Sequence, residues 1–256
     1  MITAIVNQKG GVGKSTTAVN LGVGLAHLNR KVALVDMDPQ SNTTSTLLGK
    51  PPADSLTVYD VLDDWKKVRE AFVQTSVENL FLLPSNIDLA GAEIELVSAI
   101  SREMRLKRAL EAVRNEFDFI LIDCPPSLGL LTLNAMAAAD NLIVPIQCEY
   151  FALEGLSKLL ETYEIVKENL NPGLTIFGFL LTMYDVRTRL SAEVAEEVRK
   201  YFGEKVFKTV IPRSVRISEA PGFSKPIQEF APNSKGAEAY NQLAKEVIER
   251  AEKELG

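Results

Sequence analysis

The stretch Lys9-Gly10-Gly11-Val12-Gly13-Lys14-Ser15-Thr16 decides the fold because of what stands on either side of it. Residues 2–6 before it are a short apolar run of strand length. Residues 16–28 after it carry Ala18, Leu21, Leu25 and Leu28 at helical spacing. A strand, a glycine-rich turn and a helix, in that order, build a phosphate loop. Gly10, Gly11 and Gly13 let successive backbone N–H groups converge on one centre, and the helix N-terminus adds its dipole. Lys14 is expected to place its ammonium on the β- and γ-phosphates of a nucleoside triphosphate, and Ser15 to offer its hydroxyl to Mg2+.

Outward from the loop, apolar runs of strand length alternate with helical segments. Strands are expected at 32–35, 80–83, 117–122, 142–146, 174–181 and 206–210. Helices are expected near 58–62, 65–73, 89–114, 154–168, 191–202 and 234–255. This alternation predicts an α/β chain: a single-domain P-loop NTPase fold over residues 1–256, with a mostly parallel twisted sheet and helices on both faces. Right-handed crossovers bring the loops after the strands to one edge of the sheet. Two of those loops are rich in carboxylates. Asp36 and Asp38 straddle the end of 32–35, and Asp123 ends the run at 119–122, ahead of the stiff pair Pro125-Pro126. Asp123 stands where a carboxylate would hold Mg2+ directly or through water. A lone aspartate at such a place is often only a helix cap, but capping explains a phosphate loop and two such sites poorly.

Composition narrows the class. Hydrophobic residues are 46% of the 256 and charged residues 24%, which argues against wholesale disorder. No apolar run approaches the ~18 residues of a membrane span. No signal peptide is expected, since the loop opens at Lys9. Cys124, Cys148 and the single histidine, His27, match no zinc pattern. The two thiols read as small buried residues of a cytoplasmic protein, and His27 as a residue near the end of the first helix. The net charge of −6 is unevenly spread: −8 over residues 1–186, +4 over 187–235 and −2 over 236–256. An acidic chain with one basic segment still presents a local positive surface.

The loop departs from G-x-x-x-x-G-K-[ST] at Gln8 and opens with a second lysine, Lys9. This form resembles the deviant Walker A ATPases. Residues 7–20, 35–44 and 123–127, with the run Ile211-Pro212-Arg213-Ser214-Val215-Arg216-Ile217-Ser218-Glu219-Ala220-Pro221, are similar to the ParA/Soj partition ATPases over nearly the full length.

That resemblance implies an ATPase whose ATP-bound form is a sandwich homodimer. The dimer would bind double-stranded DNA without sequence preference on the nucleoid and hydrolyse ATP under a ParB-type partner. By resemblance Lys9 reaches the partner subunit's nucleotide; an intrachain salt bridge is its other use. Asp38 orients or activates the attacking water, Asp36 supports the magnesium shell, and residues 123–127 form the second switch. Adenine would lie between Thr182-Met183-Tyr184 and Ile211-Pro212-Arg213. Arg187 and Arg216, within the basic segment, are the expected DNA contacts, with structural salt bridges as the alternative; Lys225 and Lys235 would join them or remain solvated. A MinD-like ATPase is the competing reading, but residues 236–256 are acidic and place Tyr240, Leu243, Val247 and Ala251 on one face, as in a helix packed on the body. An iron–sulfur reductase lacks its paired cysteines here. A small-substrate phosphotransferase is opposed by the run ending at Pro221.

Overall fold

The computed structural model describes residues 1–50, 54–150 and 156–255. Its strands are β1 (Ile2–Ile5), β2 (Val32–Asp36), β3 (Val73–Gln74), β4 (Leu80–Leu83), β5 (Phe119–Asp123), β6 (Asn141–Gln147) and β7 (Thr175–Thr182). Helices α1 (Lys14–His27), α2 (Asn42–Leu48), α3 (Val58–Asp63), α4 (Val68–Ala71), α5 (Leu89–Glu95) and α6 (Arg105–Glu111) precede β5. Then come α7 (Leu130–Ala138), α8 (Leu156–Asn169), α9 (Arg189–Phe202), α10 (Val215–Glu219), α11 (Ile227–Phe230) and α12 (Lys235–Leu255). The strands form one sheet in the order β3-β4-β2-β5-β1-β6-β7. Every pairing is parallel except that of β3, which runs antiparallel to β4 at the edge.

Alternation along the strands divides the core in two. Ile2, Ala4, Ala33 and Val35 enter the core on one face, with residues of α3, α6, α7 and α8. Ile5, Val32 and Leu34 enter the other, beneath α1 and α12. Strands buried on both faces read as unbroken apolar runs, which made them easy to find. Helix α12 buries Tyr240, Leu243, Val247 and Ala251. It packs closely on α1: a Cβ at Gly24 would stand 2.9 Å from that of Ala244. Among the described residues no helix is long and apolar enough to cross a membrane.

Short helices α2, α10 and α11 form where loop was expected, and four further segments differ from expectation. The helix expected over 89–114 is broken into α5, short 3-10 turns and α6. Ala99 is extended and Ser101 left-handed (φ 52°). The buried Asn134 of α7 stabilises the break, donating to the Arg102 carbonyl (2.8 Å) and accepting from the Leu106 amide (3.2 Å). The segment 65–73 stops at Ala71, because Val73 pairs with Leu82 in β3. No strand forms over 206–210, where only a bridge from Val206 to Phe179 remains. The amides of Lys208 and Thr209 donate instead to the Glu246 carboxylate, at 2.8 and 2.9 Å. Helix α7 was not foreseen at all, because its sequence Leu-Leu-Thr-Leu-Asn-Ala-Met-Ala-Ala has no polar stripe to reveal a helical period. Glu154, the expected start of the next helix, lies outside the described residues.

Candidate active site

The loop after β1 is pinned from both sides. The Asn7 side chain donates to the Pro145 carbonyl (2.7 Å) and accepts the Lys9 amide (2.9 Å), while the Thr182 hydroxyl donates to the Val12 carbonyl (2.9 Å). Gly13 caps α1 at φ 92°, a conformation that favours glycine, and its carbonyl accepts the Thr17 amide (2.9 Å). The loop therefore opens into a cavity of about 320 Å3, walled by Gly10, Gly11, Gly13, Lys14, Ser15 and Thr16 on one side. Asp38, Pro126, Met183, Ile217 and Lys225 complete much of the rest. Lys14 is 6% exposed, and its ammonium donates to the Lys9 carbonyl at 3.0 Å. Burial pulls its pKa below the ordinary lysine value, and Asp123 opposes that shift.

The carboxylates converge because β2 and β5 are neighbours, with Asp36 and Asp123 directly paired in register. Asp36 is fully buried behind the cavity. One of its oxygens accepts both the amide and the hydroxyl of Thr44 (2.8 and 2.7 Å), and the other accepts the Asp38 amide (3.2 Å). Asp38 reaches the cavity wall, steadied by the Gln40 amide at 2.9 Å. Asp123 accepts the Thr43 hydroxyl (2.7 Å) and is also hydrogen-bonded by Ser15. Burial pushes the Asp36 and Asp123 carboxyls above the usual carboxylate range, and each is further raised by a nearby carboxylate.

The second oxygen of Asp123 is buried without a partner. An orphaned carboxylate oxygen beside a serine hydroxyl is a fitting donor set for Mg2+, which favours oxygen ligands. Asp36 has both oxygens occupied and stands behind that set.

Thr43, Thr44 and Ser85 were missed in the sequence. Ser85 ties the region together, since its hydroxyl donates to the Asp38 carbonyl (2.8 Å) and its amide to the Thr44 hydroxyl (2.9 Å). The polar run Asn42-Thr43-Thr44 in the first turn of α2, of which Thr43 and Thr44 are buried, was the available signal.

The two segments expected around the base are joined by a bridge between Tyr184 and Pro212. The Tyr184 amide donates to the Ile211 carbonyl (3.0 Å) and the Arg213 amide to the Tyr184 carbonyl (2.9 Å). Met183 is held at φ 52° and borders both the phosphate cavity and a second one of about 460 Å3, lined also by Lys9, Glu149, Asp185 and Arg213. Lys9 thus belongs to the neighbouring cavity, apart from Lys14, and joins no salt bridge among the described residues. Arg187 and Arg216 lie outside both cavities on exposed segments, paired with Asp185 and Glu219. Lys225 faces the phosphate cavity, while Lys235 is exposed at the start of α12.

A parallel sheet with a lysine-bearing phosphate loop and two carboxylates at adjacent strand ends defines a P-loop nucleoside triphosphatase. Residues 1–176 match the family model described as AAA domain. The sporulation initiation inhibitor protein Soj of Bacillus subtilis (strain 168) is 60% identical over 247 residues, covering 96% of this chain and 97% of that one. The chromosome-partitioning ATPase Soj of Treponema pallidum (strain Nichols) is 51% identical, with 96% of each chain covered. Among solved structures, a Mycobacterium smegmatis protein described as cobyrinic acid a,c-diamide synthase, with bound ATP analogue and magnesium, is 41% identical. It superposes with a TM-score of 0.83 over 95% of this chain and 92% of its own. The chain belongs to the ParA/Soj family of chromosome-partitioning ATPases.

Proposed function

We propose that this protein is a partition ATPase whose ATP-bound form is a homodimer that binds double-stranded DNA without sequence preference. A ParB-type partner ends that state by stimulating hydrolysis, and the protein works in the cytoplasm on the nucleoid to segregate a chromosome or plasmid. The observation that carries this reading is the division of the two loop lysines: Lys14 is buried in the phosphate cavity, whereas Lys9 borders the neighbouring one. A cation turned away from its own chain's phosphates is available to a second copy, where it would neutralise charge on the transferring phosphoryl group.

In hydrolysis, the loop amides and Lys14 hold the β- and γ-phosphates of ATP. Ser15 and Asp123 would hold Mg2+, with Asp36 supporting them from behind through Thr44 and the Asp38 backbone. The bound ion supplies positive charge against the phosphate oxygens. Asp38 orients the attacking water and accepts its proton as the water oxygen bonds to the γ-phosphorus and the bond to the bridging oxygen breaks, releasing ADP and phosphate.

Sedimentation and DNA mobility shifts in ATP, in ADP and without nucleotide test the proposal, with vesicle flotation alongside. Dimerisation and DNA binding are expected in ATP alone. A nucleotide-independent monomer would overturn it, and ATP-dependent flotation would make the protein MinD-like.

A further inference from the structure

We propose, on the basis that DNA binds through Arg187 and Arg216, that Asp185 and Glu219 mask these arginines, so that a DNA phosphate competes with an internal carboxylate at each contact. Arg187 is held side-on by Asp185, with Nε donating at 2.9 Å and an NH2 group at 2.7 Å to separate carboxylate oxygens. That two-donor edge is one of those with which a guanidinium grips a phosphate bidentately, and Asp185 occupies it. The carboxylate is itself fixed, because the oxygen that takes Nε also accepts the Arg187 backbone amide at 3.0 Å. Exposure separates the partners: the Asp185 side chain is 14% exposed and that of Arg187 82%, so the anion sits in the wall and the cation outside it. Hydrogen bonds from Arg187 hold the Asp185 carboxyl well below the usual carboxylate range, which keeps it ionised.

Arg216 is paired more loosely within α10: a single Nη1 hydrogen bond of 3.2 Å reaches Glu219, whose own side chain is 43% exposed, and the guanidinium lies 6.0 Å from the centre of the Phe230 ring. In both cases the anion is within three residues of its arginine, so the basic segment carries its own phosphate substitutes.

Masking alters DNA binding in a way that simple positioning does not. When a phosphate displaces Asp185, one cation is neutralised and one carboxylate is released to collect a counterion of its own. The contact then yields little net counterion release. With the carboxylate removed, the same contact releases about 0.9 counterion, and the salt dependence steepens accordingly. Because exposed ion pairs are individually weak, the mask is easily displaced by a polyanion and easily restored when DNA leaves.

Asp185→Asn tests this cleanly, since the asparagine oxygen still accepts the Arg187 amide and keeps the turn. In ATP, its affinity for duplex DNA is expected to rise roughly threefold or more per protomer, and the slope of log affinity against log salt to steepen by about 0.9 per arginine released. The gain should vanish in Asp185→Asn/Arg187→Ala. Glu193→Gln, which neutralises an exposed carboxylate on α9 with no salt bridge among the described residues, controls for general loss of negative charge and should change little. Glu219→Gln should give a smaller gain, lost with Arg216. If Asp185→Asn binds DNA no better than wild type while Arg187→Ala binds worse, the carboxylate positions the arginine and masking is wrong. If Asp185→Asn and Glu193→Gln give equal gains, masking is likewise wrong. If Arg187→Ala and Arg216→Ala both bind as wild type, the DNA surface itself is misplaced, and that failure is visible without the acidic variants.

Discussion

Asp36 and Asp123 face each other in register at the ends of β2 and β5, both fully or almost fully buried. Burial is the largest cause holding both carboxyls above their ordinary pKa, and for Asp36 the neighbouring Asp123 is the next. A carboxyl with a raised folded-state pKa binds protons in the native state that the unfolded chain has already lost. Stability from this pair is therefore greatest below the ordinary carboxylate pKa of about 4 and declines as pH rises toward neutrality. Free of nucleotide and magnesium, the wild type should lose more melting temperature between pH 5 and pH 8 than Asp123→Asn does. A tenfold difference in proton affinity between the folded and unfolded chain is worth about 1.4 kcal/mol, and each kcal/mol roughly 2–4 °C in a chain of this size. Identical pH slopes in thermal melts would remove the pair as the cause.

Lys14→Ala should weaken ATP binding by about 100-fold or more, because it deletes the buried cation of the phosphate cavity and the charge-assisted bonds it would make, worth roughly 1.5–3 kcal/mol each. Calorimetry showing undiminished affinity would displace the nucleotide from this loop.

Asp38→Ala should bind ATP and dimerise yet turn over about 10²- to 10⁴-fold more slowly, the range for removal of a positioned base. The carboxyl reaches the cavity from a backbone fixed by Asp36 and Ser85, so its loss leaves the phosphate loop intact. Normal hydrolysis, or a monomer in ATP by light scattering, contradicts that role.

Gly10→Val separates the needs of the fold from those of assembly. Gly10 is exposed, its φ is outside the left-handed region, and a Cβ there would meet only Pro126 at 3.8 Å, an ordinary contact. The chain alone thus does not require glycine at this position. A β-branched side chain should leave ATP binding within a few-fold of wild type and block ATP-dependent dimerisation. A Gly10→Val dimer in ATP by sedimentation would place the subunit contact elsewhere.

What the sequence made legible was local. The phosphate loop is a contiguous motif, and the strands of a doubly covered sheet are contiguous apolar runs, so Lys14 could be assigned to the loop and Asp36, Asp38 and Asp123 to strand ends or the residues just after them without knowing the packing. What stayed hidden depended on partners distant in sequence. Asn134 breaks the helix expected over 89–114, and Glu246 takes the amides that a strand over 206–210 would have used. Ser85 reaches Asp38 across 47 residues. The wall formed by Ile217 and Lys225 was missed for the same reason: α10 and the segment after it fold back over the phosphate loop, so a run that read as a DNA surface also closes the nucleotide cavity.

Arg187 and Arg216 provide the test of the DNA surface. Residues 187–235 carry a balance of +4 within a chain of −6, so the segment is locally basic in an acidic protein. Both arginines are mostly exposed, with side chains 82% and 65% accessible, and neither lines the nucleotide cavity. Contacts from such residues go to phosphates and carry no base information, so binding should be sequence-independent, with a salt dependence that is shallow while Asp185 and Glu219 pair the arginines and steepens when those carboxylates are removed. On the proposed function, one protomer would bring too few cations to overcome its own net charge, and dimerisation would double the patch and make DNA affinity conditional on ATP. Arg187→Ala/Arg216→Ala should abolish mobility shifts in ATP at moderate salt. Sedimentation of the same variant in ATP separates a lost DNA surface from a failure to dimerise: a dimer that no longer shifts DNA is the expected result. A double variant that binds duplex DNA at low salt as well as wild type would move the DNA surface away from both arginines.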